Sequence, residues 1–275
     1  MWFVNSFLNK FFSLLFSPFR HLNPWFGMVF VSFLTGLLML LIFRLTSNQA
    51  GIKNVKDKIK AHLLELRLFN DNLNVSLKAQ SQILRYNLRY IGYSFKPLLV
   101  MIIPLILILV QLNVWFGYEP ILPGESAILK VKLEETAKLL ELPATVEPPV
   151  GIMVETPALR VEDEKEIDWR IRADSRGVHE LNLKIGGQTS MKSIAVGVGP
   201  LDRISPIMVK RGLLREVLYP GEKPLPSSGL VKSIEISYSP KRMNLFGLRV
   251  HWLIAYFALS IIIGFALKRP FKVEI

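Results

Sequence analysis

The sequence predicts an α-helical membrane protein with three transmembrane helices, a cytoplasmic antiparallel coiled-coil hairpin and an inserted all-β sandwich. Three observations carry that prediction. Asp, Glu, Lys and Arg are absent from residues 21–43, 97–118 and 250–267, and about 20 apolar residues suffice to cross the hydrocarbon layer. The basic surplus is local: 44–96 holds ten Lys and Arg against three acids, whereas 117–247 holds 18 of each sign. Apolar periodicity also changes, from helical steps before residue 116 to strict alternation after Pro123-Gly124. A chain of 275 residues that is 51% hydrophobic, with mean hydropathy +0.34, carries more apolar mass than a soluble globule needs.

Residues 1–23 begin with an amphipathic segment. Asn5, Asn9, Ser13 and Ser17 recur every fourth residue, with Ser6 and Lys10 beside them, while Trp2, Phe3, Phe7, Phe11, Leu14 and Leu15 cover the rest. No basic n-region or small-residue cleavage site accompanies it, so the pattern predicts an uncleaved helix lying in the membrane interface and ended by Pro18. Residues 24–44 form the first span, closed by Arg44.

Residues 45–95 carry two seams of nearly heptad spacing. Ile52, Val55, Ile59, Leu63, Leu66 and Phe69 make the first; Leu73, Leu77, Gln80, Leu84, Leu88 and Ile91 make the second. The turn signal Asn70-Asp71-Asn72 lies between them, so the two stretches are expected to close on each other as a hairpin. The second span occupies 96–116, opened by Lys96-Pro97 and kinked at Pro104. Trp115, Phe116 and Tyr118 mark its outer interface.

The β segment is bounded at 117–203. Ala127, Leu129, Val131 and Leu133 alternate with polar residues, as do Ile167, Trp169, Ile171 and Ala173, then Leu181, Leu183 and Ile185, and finally Ile194, Val196 and Val198. Turns at 174–177 and at Gly186-Gly187 separate them. The texture W-x-I-x-A followed by G-x-H-x-L-x-L-x-I resembles an immunoglobulin-like module, without the cysteine pair of antibody domains. Residues 204–247, with Pro206, Pro220, Pro224 and Pro226, read as a linker back to the membrane. A third span is expected over 248–267, with Arg249 and Lys268 snorkelling outward, before a basic tail at 268–275.

The charge partition sets direction. Basic flanks stay cytoplasmic, so 44–96 and the C-terminus are expected inside, with the N-terminus and 117–247 outside. The cell membrane, of the bacterial inner-membrane type, is the expected location. The net charge of +12 thereby reports orientation and contact with anionic membrane lipids, and a specific nucleic-acid partner is not expected.

Chemistry of the usual kinds is missing. The chain has no cysteine, and its histidines, His21, His62, His179 and His251, fall in four segments without ligand spacing. The acidic run Glu162-Asp163-Glu164 with Glu166 and Asp168 reads as a solvated face. No phosphate loop, serine elbow or H-E-x-x-H is present. The expectation is a non-enzyme, with no catalytic residue, metal or cofactor.

Polar residues inside the spans remain: Ser32 and Thr35 in the first, Gln111 and Asn113 in the second, Tyr256 and Ser260 in the third. Hydroxyls there commonly glue helices together. Arg44 reads either as a stop-transfer arginine at the inner headgroups or as a charge facing a wet cavity. The order of parts, with "LTGLLMLLIFR", the basic hairpin and "FKPLLVMIIPLILILVQ", resembles the YidC/Oxa/Alb family of membrane protein insertases, nearest its minimal three-span members. The resemblance covers about residues 1–116 plus the last span. It implies a partly hydrated groove lined by Arg44, Thr35, Ser32, Gln111, Asn113 and Ser260. It also implies that Lys53, Lys56, Lys58 and Lys60 meet a nascent or small membrane-protein substrate, the ribosome, another membrane subunit or anionic lipid. The alternative is a scaffold that presents the sandwich on one side and the coiled coil on the other to partners.

Overall fold

The computed structural model describes residues 2–245, 247–271, 273 and 274. It contains helices, two of them long and apolar, and a separate region of β-sheet. The chain divides into two compact units: Met1–Gly27 with Leu107–Trp252, and Met28–Ile106 with Leu253–Ile275.

Six helices are described: α1 (Trp2–Phe16), α2 (Pro24–Thr46), α3 (Gln49–Leu68), α4 (Leu73–Phe116), α5 (Leu213–Leu218) and α6 (Trp252–Leu267). Proline opens α2, where its missing N–H is no loss. Asn48 caps α3 by accepting the Gly51 amide at 2.9 Å, and Asn72 accepts the Val75 amide at 3.3 Å at the start of α4. Two helices, α2 and α4, have the length and the mean hydropathy, 2.5 over the best window of each, to cross a bilayer.

The sequence pattern opens a new span at Pro97. Instead, α4 is a single helix of 44 residues that contains both Pro97 and Pro104. Each proline forfeits one amide bond within one turn, and strong helix formers on both sides carry the helix past it.

The strands are β1 (Ser126–Leu133), β2 (Ala144–Glu147), β3 (Ile152–Val154), β4 (Leu159–Val161), β5 (Glu166–Ala173), β6 (Gly177–Ile185), β7 (Gln188–Val196), β8 (Ile207–Val209), β9 (Val231–Ile236), β10 (Arg242–Leu245) and β11 (Leu248–His251). One antiparallel sheet runs β3-β5-β1-β9-β8 with β4 also on β5; a second runs β2-β6-β7. Leu129, Val131, Trp169 and Ile171 of the first and Leu181, Leu183, Ile194 and Val196 of the second belong to one buried apolar cluster. Burying each such side chain is worth about 1.5–3 kcal/mol, so the alternation read in the sequence is what joins the two sheets.

Two expected boundaries move. The linker expected over 204–247 contains β8 and β9, and β9 pairs with β1 inside the larger sheet. Its alternation is hidden because the register shifts between Lys132 and Leu133, so the buried positions fall at Val231, Ile234 and Ile236. The span expected from 248 begins instead at Trp252, because Leu248–His251 pairs with Arg242–Leu245. Arg249 lies opposite Asn244 in that hairpin and is not a helix flank. At 1.5 Å per residue, the 16 residues of α6 reach about 24 Å, short of the roughly 30 Å hydrocarbon layer.

Candidate functional site

The second unit holds a cavity of about 500 Å³ walled by α2, α4 and α6. Most of its lining is apolar, including Met39, Leu40, Phe43, Leu98, Met101 and Phe257. The polar groups are five hydroxyls, from Thr35, Tyr90, Ser94, Tyr256 and Ser260. Small residues shape it. A side-chain carbon at Gly36 would meet the Ser260 carbonyl oxygen at 3.2 Å and Ile263 at 3.3 Å, so this glycine sets how closely α2 and α6 approach. Among the described residues no side-chain carboxylate, amine or guanidinium lines the space; it suits an apolar guest with few hydrogen-bonding groups better than a polar one.

The residues expected to line a polar groove are dispersed. Thr35 and Ser260 do line the cavity. Ser32 is fully buried but is not in its wall. Arg44 is exposed near the end of α2. Gln111 lies in the other unit, buried, its Nε2 donating to Asn9 Oδ1 at 2.9 Å. Asn113 is half-buried on the last turns of α4, where its carbonyl accepts the Gly117 amide at 2.8 Å. Tyr256, which the sequence also offers as a polar residue of the last apolar stretch, lines it too, as do Tyr90, Ser94 and Gly36, which sequence reasoning missed. The small residues at 36, 260 and 264 are the signal that could have flagged this wall.

A second, more polar cavity of about 650 Å³ lies in the same unit, lined by Gln49, Ala50, Lys53, Lys56, Lys268, Arg269, Val273 and Glu274. Lys56 Nζ pairs with Glu274 Oε2 at 3.1 Å, and the Glu274 amide donates to Gln49 Oε1 at 2.7 Å. The start of α3 thus meets the segment that follows α6, bringing four basic side chains around one carboxylate. Lys58 and Lys60 lie elsewhere: Lys58 Nζ sits 5.2 Å from the centre of the Tyr86 ring, and Lys60 pairs with Asp57 at 3.6 Å.

The hairpin itself pairs differently from the two seams. His62 stacks on Tyr86 with ring centroids 5.7 Å apart, and Ser76 Oγ donates to the Phe69 carbonyl at 3.1 Å, so α3 and the first half of α4 run antiparallel. On α4 the face turned inward carries Ala79, Tyr86 and Tyr93. The leucine seam lies on the opposite side: Leu73, Leu77, Leu84, Leu88 and Ile91 are all more than half exposed. At about 100° per residue the two rows are separated by roughly half a turn, so both cannot face α3. The tyrosine face prevails because its rings stack on His62 and Lys58, while Ala79 permits close approach.

Several charges of the β region are paired. Lys192 is fully buried, with Nζ donating to the Ser205 carbonyl at 2.6 Å and to Glu222 Oε1 at 3.0 Å; burial pushes its pKa down against the pull of Glu222. In the acidic run, burial opposes ionisation of Glu166. The hydrogen bond from Lys132 at 3.1 Å and the charge of Lys130 at 3.6 Å outweigh that and hold its carboxyl below the usual range. Burial raises Asp168, next on the same face. The Lys192 and Glu166 contacts are structural pairings, while Asp168 Oδ1 is buried without a hydrogen-bond partner. Among the described residues no three His, Asp or Glu side chains come together as metal ligands.

Comparison with models of protein families, with curated proteins and with solved structures finds no match to this chain.

Proposed function

We propose that this chain is a multi-pass membrane protein of the insertase or membrane-chaperone kind, similar in layout to the YidC/Oxa/Alb family, that shelters apolar segments of small membrane-protein substrates. The cavity walled by α2, α4 and α6 carries the reading. Its volume and apolar lining suit the side chains of a hydrophobic segment, and its five hydroxyls offer hydrogen bonds to a polar group that would otherwise face bare hydrocarbon. This makes the chaperone side of the proposal stronger than a hydrated polar groove. Three spans, α2, the C-terminal half of α4 and a short α6, would place the α3–α4 hairpin in the cytoplasm and the immunoglobulin-like sandwich outside. The basic cavity, and Lys58 and Lys60 farther along α3, would then contact anionic headgroups, a nascent chain or a ribosome. The chain carries no catalytic residue in this reading.

The experiment fills the cavity. Gly264→Leu and Ser260→Phe should abolish insertion of a short-tailed reporter in cells lacking the wild-type chain, while Arg44→Lys should insert normally. Normal insertion by both cavity variants at wild-type protein levels would refute the proposal. Cysteines placed at Asn70 and Gly187, unique because the chain has none, should label from opposite faces of the membrane.

The scaffold reading is favoured by one observation, the exposed leucine row on α4. It predicts that Leu84→Glu with Leu88→Glu abolishes association with a partner subunit while reporter insertion continues.

A further inference from the structure

The first helix wears its amphipathic pattern inside out. Asn5 and Asn9, which the sequence places toward water, are 3% and 8% exposed. Asn5 Nδ2 donates to the Glu216 carbonyl at 2.6 Å, and Asn9 Nδ2 donates to the Pro220 carbonyl at 2.8 Å. Asn9 Oδ1 accepts from Gln111 of α4. Phe3, Phe7, Phe11 and Leu14 point outward, half to fully exposed. Helix α5, tied to α1 through those carbonyls, does the same: Leu213, Leu214 and Leu218 are 70%, 79% and 50% exposed. Lys10, Arg211 and Arg215 are exposed beside them.

We infer that α1 and α5 together form a two-helix membrane anchor that seats the β region on the bilayer surface. Such paired apolar faces seldom stay uncovered on a water-soluble domain. Their occupant follows from what α1 is fastened to. Phe16 of α1 packs on Trp115 and Phe116, with ring centroids 4.9 and 5.5 Å away. Those aromatics end a charge-free stretch of α4 apolar enough to cross a bilayer. The anchor is therefore continuous with a lipid-facing segment and sits at the depth where aromatic residues meet headgroups. The exposed cations complement anionic lipid. The inference rests on reading α4 as a span. It adds α5, a six-residue helix within a segment that sequence pattern reads as linker, to the surface that touches lipid.

The test uses the full chain in vesicles of phosphatidylcholine and phosphatidylglycerol. Single cysteines at Leu214, at Val150 (97% exposed in the β region) and at Leu38 of α2 carry an environment-sensitive fluorophore, and lipids bearing a quencher on the acyl chain are added. The expected result is a blue-shifted, quenched probe at 214 and at 38, and a water-like, unquenched probe at 150. A probe at 214 that behaves like the one at 150, while 38 is quenched, overturns the anchor and leaves the span reading intact. Loss of quenching at 38 as well overturns the span reading itself, and the anchor with it.

Discussion

The β region and the helical unit treat apolar side chains in opposite ways. In the β region Leu129, Val131, Leu181, Leu183 and Ile234 are fully buried, and lysines and glutamates alternate on the outer faces of the strands. In the helical unit large apolar residues such as Ile103, Ile254 and Ile262 are more than 60% exposed, while Ser32 and Tyr256 are fully buried. A sheet region with a dry core and charged exterior is stable against water on its own terms. A helical unit that hides hydroxyls and shows large apolar side chains has its apolar surface outside, the arrangement that a lipid solvent would reward. The contrast teaches that one chain can be written in two binary codes, with the change of code near Pro123-Gly124 marking the change of secondary structure; on the proposed reading it would also mark a change of surroundings.

The comparison is most sharply broken at the buried charge of the β region. Glu222→Ala strands Lys192 without its carboxylate and should cost about 3–5 kcal/mol, read as a lowered midpoint in thermal or denaturant unfolding followed by β-sheet circular dichroism. Lys192→Met should be far milder. A mild effect of Glu222→Ala would mean that the Ser205 carbonyl alone satisfies the ammonium.

In the helical unit the equivalent weak point is a contact between backbones. Gly36→Leu forces α2 away from the Ser260 carbonyl and should cost about 1–3 kcal/mol, with a loss of helical signal at lower temperature than wild type. The β region's unfolding should not move.

Acid should act on the β region through Glu166. Its carboxyl titrates below the ordinary 4.5, so its pairing stabilises the fold above that pH and is lost as pH falls through the lowered value. Asp168, raised above its ordinary 3.8, has the opposite sign and is relieved by acid. Glu166→Gln should therefore lower stability by about 1–2 kcal/mol at neutral pH and flatten the acid limb of the unfolding midpoint. Asp168→Asn should be neutral or stabilising at pH 7.

The smallest effect on stability is expected at the leucine row. Leu84→Glu with Leu88→Glu should change the unfolding midpoint by less than about 0.5 kcal/mol. Recovery of a partner subunit with the affinity-purified chain should fall with the same double variant. A large loss of stability would mean that this row packs inside the molecule after all.

Much of this layout is legible in the sequence, for reasons that differ by element. The charge-free blocks locate α2 and the apolar half of α4, since hydropathy depends on composition alone. Alternation locates β1, β5, β6 and β7, because each strand has one face in the shared core. The bulge between Lys132 and Leu133 hides β9, because it breaks the period that reveals the others. The second heptad seam is real as a pattern, but sequence spacing cannot say which of two apolar faces meets α3; the stacking of His62 on Tyr86 decides that in three dimensions. The polar stripe of α1 escapes for the same reason, its hydrogen-bond acceptors being 211 residues away along the chain. At the site, Thr35 and Ser260 are legible as hydroxyls in spans, whereas Gln111 is spent on Asn9.

The contact of Glu274 with Lys56 has a consequence for any anion that approaches the basic cavity. The carboxylate is tethered, so its effective concentration there is set by a short stretch of chain, of millimolar order for short flexible links. A soluble phosphate must compete with that built-in ligand, whereas a headgroup in a membrane arrives at comparable local density. On the proposed reading the arrangement would act as a threshold, turning dilute anions away and admitting a charged surface. Glu274→Gln should lower that threshold, so that phosphate at lower concentration perturbs a label placed at Ala50.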